Sequence, residues 1–168
     1  MADAPAEPVM PEPKRKALDN KLRNATSLQD VFQISCKFLS RHFPVKRASL
    51  ATYDAARDSF TIEAVRIGSR YGFGVRFRLD GDCTLLADVK TERITLVEKY
   101  PYPDNCPYFE SKIILGSDTR AVALIPLSSN GRFLGTFNVG STDAFILEHY
   151  VETLFVDFSQ ALSRHLAK

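Results

Sequence analysis

Residues Ala121–Asp143 read AVALIPLSSNGRFLGTFNVGSTD, and the fold turns on what this stretch is. Two apolar runs flank Asn130-Gly131, a pair that supplies the positive φ angles of a two-residue hairpin turn. In the first run Val122 and Leu124 point one way, and Ala121, Ala123, Ile125 and Leu127 the other. Both faces are apolar, so the strand is expected inside a sheet, with cover on each side. The stretch holds no histidine, no cysteine and no evident catalytic group. It reads as scaffold.

Working outward, a closing helix is expected from about Phe145 to Ala167. Leu147, Val151, Leu154, Phe158, Ala161 and Leu162 form its apolar stripe, widened by Tyr150, Phe155 and Leu166, with Val156 opposite. Towards the amino terminus, Ser27 is placed to cap a helix running to about Phe43, with Asp30 as the capping-box acid and Pro44 beyond its end. Its stripe is Leu28, Val31, Phe32, Leu39 and Phe43, flanked by Ile34 and Phe38. Both apolar arcs exceed the ~100° needed by a helix lying on a sheet. Each helix therefore packs on the other as well as on the sheet, or the pair forms a dimer seam.

Between the helices, RASLATYD (Arg47–Asp54) and SFTIEAVRI (Ser59–Ile67) read as strands. The second alternates, with Phe60, Ile62 and Ala64 on one face. A loop bearing Gly68, Gly72 and Gly74 leads to a strand at Val75–Leu79, with Val75, Phe77 and Leu79 on one face. Asp82 is expected to cap a helix from Cys83 to about Glu92, and ITLVE to follow as a short strand. A Pro-rich loop precedes Tyr108–Leu115, a helix or an irregular cover. The order of elements is that of an α+β domain with a central antiparallel sheet. The terminal helices cover one face, and the segment from Asp82 to Asp118 covers the other and leaves room for a cavity.

Composition sets outer limits. The chain has 168 residues, 45% apolar and 25% charged, with a net charge of +2, the balance of one globular domain. That charge argues for neither a nucleic-acid nor a membrane surface. Residues 1–16, MADAPAEPVMPEPKRK, are expected to be a mobile tail, and residues 17–168 a single domain opening with a short helix at Ala17–Asn24. Cys36, Cys83 and Cys106 are in no CxxC arrangement, which points to free thiols and a cytoplasmic setting.

The strand ending in Pro126-Leu127, the Asn130-Gly131 turn, then Leu134-Gly135, Phe137, Val139 and Ser141 before a long amphipathic helix, resemble the GAF domain family, a PAS-like fold. The element order extends the likeness from about Leu28 to the end. The resemblance implies a sensory or regulatory module that takes a small molecule between the sheet and the middle segment. It also implies a homodimer through the terminal helices and a downstream signalling partner. Expected pocket walls are Phe77, Cys83, Leu86, Tyr108, Phe109, Thr136 and Asn138. Asn138 stands out, because an amide on an apolar strand needs a partner. No cofactor can be named. Bilin-attaching members carry a Cys-His pair, whereas here Cys83 precedes Thr84 and Cys106 precedes Pro107. The Asn-Lys-x-x-Phe-Asp-type motif of cyclic-nucleotide members is absent.

Rival readings are weaker. One GAF branch reduces free methionine sulfoxide with pocket thiols, and Cys83 and Cys106 lie in the covering segment. The surrounding patterns of that branch are absent, and no cation adjoins either thiol. A ligand-free interaction module is a further alternative. LDGDCT lacks the glycine and distal glutamate of a calcium loop. RYGFGVRF (Arg70–Phe77) approaches an RNA-binding strand signature, but one aromatic is missing, so the remaining rings do not share a surface. His42, His149 and His165 have no acid at metal-ligand spacing. The expectation is a non-catalytic domain without a metal site.

Overall fold

The structure is a computed structural model that describes residues 12–82, 86–99 and 118–167. Helices α1 (Glu12–Arg23) and α2 (Leu28–Ser40) precede strands β1 (Arg47–Asp54), β2 (Ser59–Ile67) and β3 (Arg70–Asp80). Helix α3 (Leu86–Glu92), β4 (Leu96–Lys99), β5 (Ala121–Ser129) and β6 (Arg132–Ser141) follow. A 3-10 turn (Ile146–Tyr150) and α4 (Leu154–Leu166) complete the described elements. The sheet has six strands in the order β3-β2-β1-β6-β5-β4, and every pairing is antiparallel.

The β5–β6 hairpin is interior, as its two apolar faces require. Its turn places Asn130 and Gly131 at φ 52° and 77°, which matches the right-handed twist of the flanking strands. Ala121, Ala123, Ile125 and Leu127 enter the core beneath the terminal helices. Val122 and Leu124 enter a second core beneath α3, with Leu86 and Val89. The sheet is therefore covered on both sides, and β6 lies in the middle of it.

β6 is also where the helix layer is anchored. Phe137 is fully buried between Phe32 of α2 and Phe158 of α4, with ring centroids 5.7 and 5.1 Å away. Burial of each ring is worth about 1.5–3 kcal/mol, and each aromatic pair adds about 0.5–1.5 kcal/mol. Ser27 caps α2 by accepting from Asp30 N, and Asp30 returns by accepting from Thr26 N and Oγ1. Those hydrogen bonds hold the Asp30 carboxyl below its ordinary pKa.

Five expectations are corrected. Helix α1 begins at Glu12, so residues 12–16 belong to a helix rather than to the expected tail, because Leu18 and Leu22 bury it against the core. Helix α2 ends at Ser40 rather than Phe43. The closing helix is interrupted: the 3-10 turn ends at Tyr150 and α4 starts at Leu154. β3 begins at Arg70, so Gly72 and Gly74 lie within the strand. Finally, β2 does not alternate throughout. Leu50 pairs with Ala64 and Ala51 with Ile62, which leaves Glu63 as an extra residue. This bulge reverses facing. Phe60 and Ile62 pack beneath α3, while Ala64 packs beneath the terminal helices. Opposite Glu63, β3 bends through Gly74 and Arg76 at φ 66° and 51°.

The same bend separates the rings of the RNA-like stretch. Tyr71 and Phe73 stack on each other at 5.9 Å and meet Phe32 edge-on. Phe77 pairs with Ile62 and so belongs to the opposite face.

α1 explains the wide apolar arcs of the other terminal helices. It packs on both α2 and α4 and buries Leu18 and Leu22. Arg15 pairs with Asp157 at 3.7 Å, and Arg164 holds both oxygens of Asp19 at 3.0 and 3.2 Å. Val156, opposite the stripe of α4, is 42% exposed, as its position predicts. No described helix is long and apolar enough to cross a membrane.

Candidate functional site

The sheet face beneath α3 carries three adjacent buried polar side chains at its centre. Asn138 pairs with Ser49 of β1 and with Leu124 of β5, and Thr136 pairs with Ala51 and Pro126. Strand alternation puts Phe137 and Val139 into the helix-side core, and Thr136 and Asn138 therefore face the other way. Ser49, Thr136 and Asn138 are all buried. Asn138 Nδ2 donates to Ser49 Oγ at 3.0 Å. Asn138 Oδ1 and Thr136 Oγ1 are buried and have no hydrogen-bond partner among the described residues.

Two orphaned polar atoms side by side are unusual, since a buried polar group without a partner costs about 1–3 kcal/mol. They stand two residues apart on one strand, roughly 7 Å. Together they present an amide acceptor and a hydroxyl on the α3 side of the sheet. None of the three side chains is titratable, so by their own groups they can bind and orient a ligand.

Of the expected wall residues, Thr136, Asn138 and Leu86 come together on this side. Leu86 is fully buried in the core beneath α3. Phe77 lies on the same face but on the edge strand, 39% exposed and three strands from β6. The sheet order, which sequence does not state, puts it beyond reach of Asn138. Cys83, Tyr108 and Phe109 lie outside the described residues, as does Cys106. Ser49 is the site residue that sequence reading missed. Its strand and facing were legible, but its partner was not.

At the turn end of the same face, Tyr53, Phe60 and Phe133 fill the space with rings 5.0–5.9 Å apart. α3 is tied there by Lys90. Its ammonium donates to Asp58 Oδ1 at 2.9 Å, to the Gly81 carbonyl at 3.1 Å and to Asp82 Oδ1 at 3.2 Å. Tyr53 also donates to Asp58. The hydrogen bond from Tyr53 and then the one from Lys90 hold the Asp58 carboxyl below its usual range, and Asp58 in turn raises Lys90. Asp82 thus serves as an acceptor for Lys90. Asp80 makes a turn by accepting from Asp82 N.

Cys36, the one described thiol, is fully buried in the helix-side core. Burial pushes it up to about 12 against the smaller opposing pull of Arg66. No cluster of potential metal ligands occurs among the described residues.

An antiparallel sheet with the terminal helices on one face and α3 on the other, the second face carrying a buried polar pair, defines a small α+β domain. A sequence model of the GAF domain matches residues 27–167, and the chain belongs to that family. Among solved structures it is similar to the GAF domain of an Acinetobacter phosphoenolpyruvate-protein phosphotransferase. That match has a TM-score of 0.71 at 15% identity and covers 92% of this chain and 91% of that one. It is also similar to the GAF domain of a Bacillus halodurans two-component sensor histidine kinase, with TM-score 0.68, 14% identity, and 85% and 95% coverage. A third likeness is to free methionine-R-sulfoxide reductase from Neisseria meningitidis in complex with its substrate, with TM-score 0.67, 16% identity, and 91% and 86% coverage. At such identities these likenesses show the fold alone. No curated protein matches the chain in sequence.

Proposed function

We propose that this GAF domain is a non-catalytic, cytoplasmic sensory module that binds a small molecule against the face carrying Ser49, Thr136 and Asn138. The observation that carries the reading is the pair of buried orphaned atoms, Asn138 Oδ1 and Thr136 Oγ1. A ligand that donates to the amide oxygen and meets the hydroxyl would satisfy both. The response is a population shift in the covering segment, passed through β6. That strand presents Thr136 and Asn138 to the ligand side and Phe137 to the helices. Output then leaves through protein contacts of the helix layer, and self-association through that layer belongs to the proposal.

The test is a thermal-shift screen of metabolites on wild type and on Thr136→Val and Asn138→Leu, with native mass spectrometry for oligomeric state. The reading expects a metabolite that raises the melting temperature of wild type, and a shift lost in both variants. A shift retained in both variants moves the ligand elsewhere. Turnover of free methionine sulfoxide, abolished by Cys83→Ser, would replace the sensor with a thiol enzyme.

A further inference from the structure

The helix layer carries a second feature, on the far side of the molecule from Asn138. α1 and α2 are joined by the short loop Asn24–Ser27 and run as a helical hairpin. Between them lies a groove of about 300 Å³. Ala17, Leu18, Ile34 and Phe38 provide apolar lining. Lys14, Lys21, Lys37 and Arg41 line it as well, with His42 at one end. Positions 14, 17, 18 and 21 form an i, i+3, i+4, i+7 set, and so do 34, 37, 38 and 41. Each helix therefore gives the groove one whole face.

Among the described residues none of these four cations pairs with a carboxylate. Asp19 pairs with Arg164 and Asp157 with Arg15, while Asp30 is held by neutral donors at the cap of α2 and lines the adjoining hollow rather than this groove. The groove's own described lining is thus apolar in part and cationic, with no acid in it. The imidazole of His42 registers this, since burial first, and then Lys14 and Arg41, lower its pKa.

The cations do not converge on a point. Lys14 and Lys21 stand two turns apart, about 10 Å along the helix. A single phosphate would engage one or two of them and leave the apolar lining bare. Carboxylates recurring along a partner helix would meet all four. A second copy docking by the same groove across a two-fold axis would bring the same four cations face to face, which is repulsive.

We propose that the α1–α2 groove docks an acidic amphipathic helix of a partner protein. Its apolar stripe lies on Ala17, Leu18, Ile34 and Phe38, and its Glu or Asp flanks face Lys14, Lys21, Lys37 and Arg41. The docking needs no ligand on the opposite face of the sheet, so the two proposals fail separately.

The probe is a labelled synthetic helix of about 18 residues, enough for several turns. Leu occupies one i, i+3, i+4, i+7 stripe, with Glu on both flanks, and a second peptide carries Gln for every Glu. Fluorescence anisotropy with the full chain is expected to show binding of the Glu peptide that weakens as salt rises. K14E/K37E, one cation from each helix, is expected to weaken it at least ~tenfold, and K14Q/K37Q by a smaller factor. Circular dichroism and the melting temperature should be unchanged, and the Gln peptide should bind poorly. Equal binding of the two peptides, or unchanged affinity in K14E/K37E, overturns the proposal. So does absence of peptide binding while inorganic tripolyphosphate binds the groove. A dimer that K14E/K37E dissociates would assign the groove to a second copy and equally overturn it.

Discussion

Asn138 in β6 spends its amide nitrogen on Ser49 Oγ in the neighbouring strand, and its buried carbonyl oxygen is left orphaned among the described residues. Thr136, two residues earlier, presents a second orphaned atom on the same face. If these atoms await a ligand, folding gains little from them. Thr136→Val should leave stability unchanged or raise it by up to about 1 kcal/mol, because no hydrogen bond is lost. Asn138→Ala should cost about 2–3 kcal/mol, since it strands Ser49 and opens space. Urea denaturation measures both. A loss above 1 kcal/mol in Thr136→Val would mean that the hydroxyl already has a partner.

Gly135 holds β6 close against β1. Its φ is 147°, and a Cβ there would lie 2.0 Å from the Ala51 carbonyl oxygen. That atom is main chain in an interior strand and cannot move aside. Gly135→Ala should therefore cost about 4 kcal/mol or more, seen as insoluble expression or a collapse of the urea midpoint. Gly68→Ala meets no atom within 4 Å and only the backbone strain of φ 61°, about 1–2 kcal/mol, and serves as the milder comparison.

Lys90 fastens α3 to the turn between β1 and β2. Lys90→Met should lower the melting temperature at neutral pH by roughly 2–4 °C. The pH dependence has a fixed sign. Asp58 has its folded pKa depressed below 3.8, so its contribution is present above that value and lost as pH falls through the folded pKa. Lys90 is raised above 10.5, so its contribution is complete below that value and lost as pH rises through the folded pKa. The gap between wild type and Lys90→Met should be widest between these limits and narrow outside them. A gap of constant size across the titration would assign the loss to packing of the lysine stem.

Cys36 should be inert while the chain is folded. Its thiol is fully buried and pushed up to about 12, so the thiolate that reacts with iodoacetamide is scarce at pH 8. Peptide mass spectrometry should find alkylation of Cys36 only at the rate of global unfolding. Labelling that outpaces unfolding would reveal local opening between α2 and the sheet.

Much of the architecture was legible because it rests on local chemistry. Asn130-Gly131 dictated the hairpin, Ser27 and Asp30 the start of α2, and two apolar faces the interior place of β5. β1 and β2 were bounded correctly for the same reason. The candidate site was half legible. Asn138 stood out as an amide on an apolar strand, and Thr136 and Leu86 were named with it as wall residues. Ser49 was missed because its role comes from β1 lying beside β6, strands more than eighty residues apart in the chain by the spacing of Asn138 and Ser49. Phe77 was expected beside them, and the sheet order instead carries β3 to the edge, three strands from β6.

The sequence by itself determined the elements that need only near neighbours: caps, the tight turn, the parity of an unbroken strand, and the apolar stripe of each helix. It could not determine what a stripe would meet. Only the tertiary structure decided that the bulge at Glu63 turns Phe60 and Ala64 to opposite cores, and that α1 lies along α2 and α4. It alone set four cations along one groove. Periodicity records which way a side chain points along its own backbone. Partnership between elements depends on sheet order and helix placement, which minimise the energy of the whole chain at once.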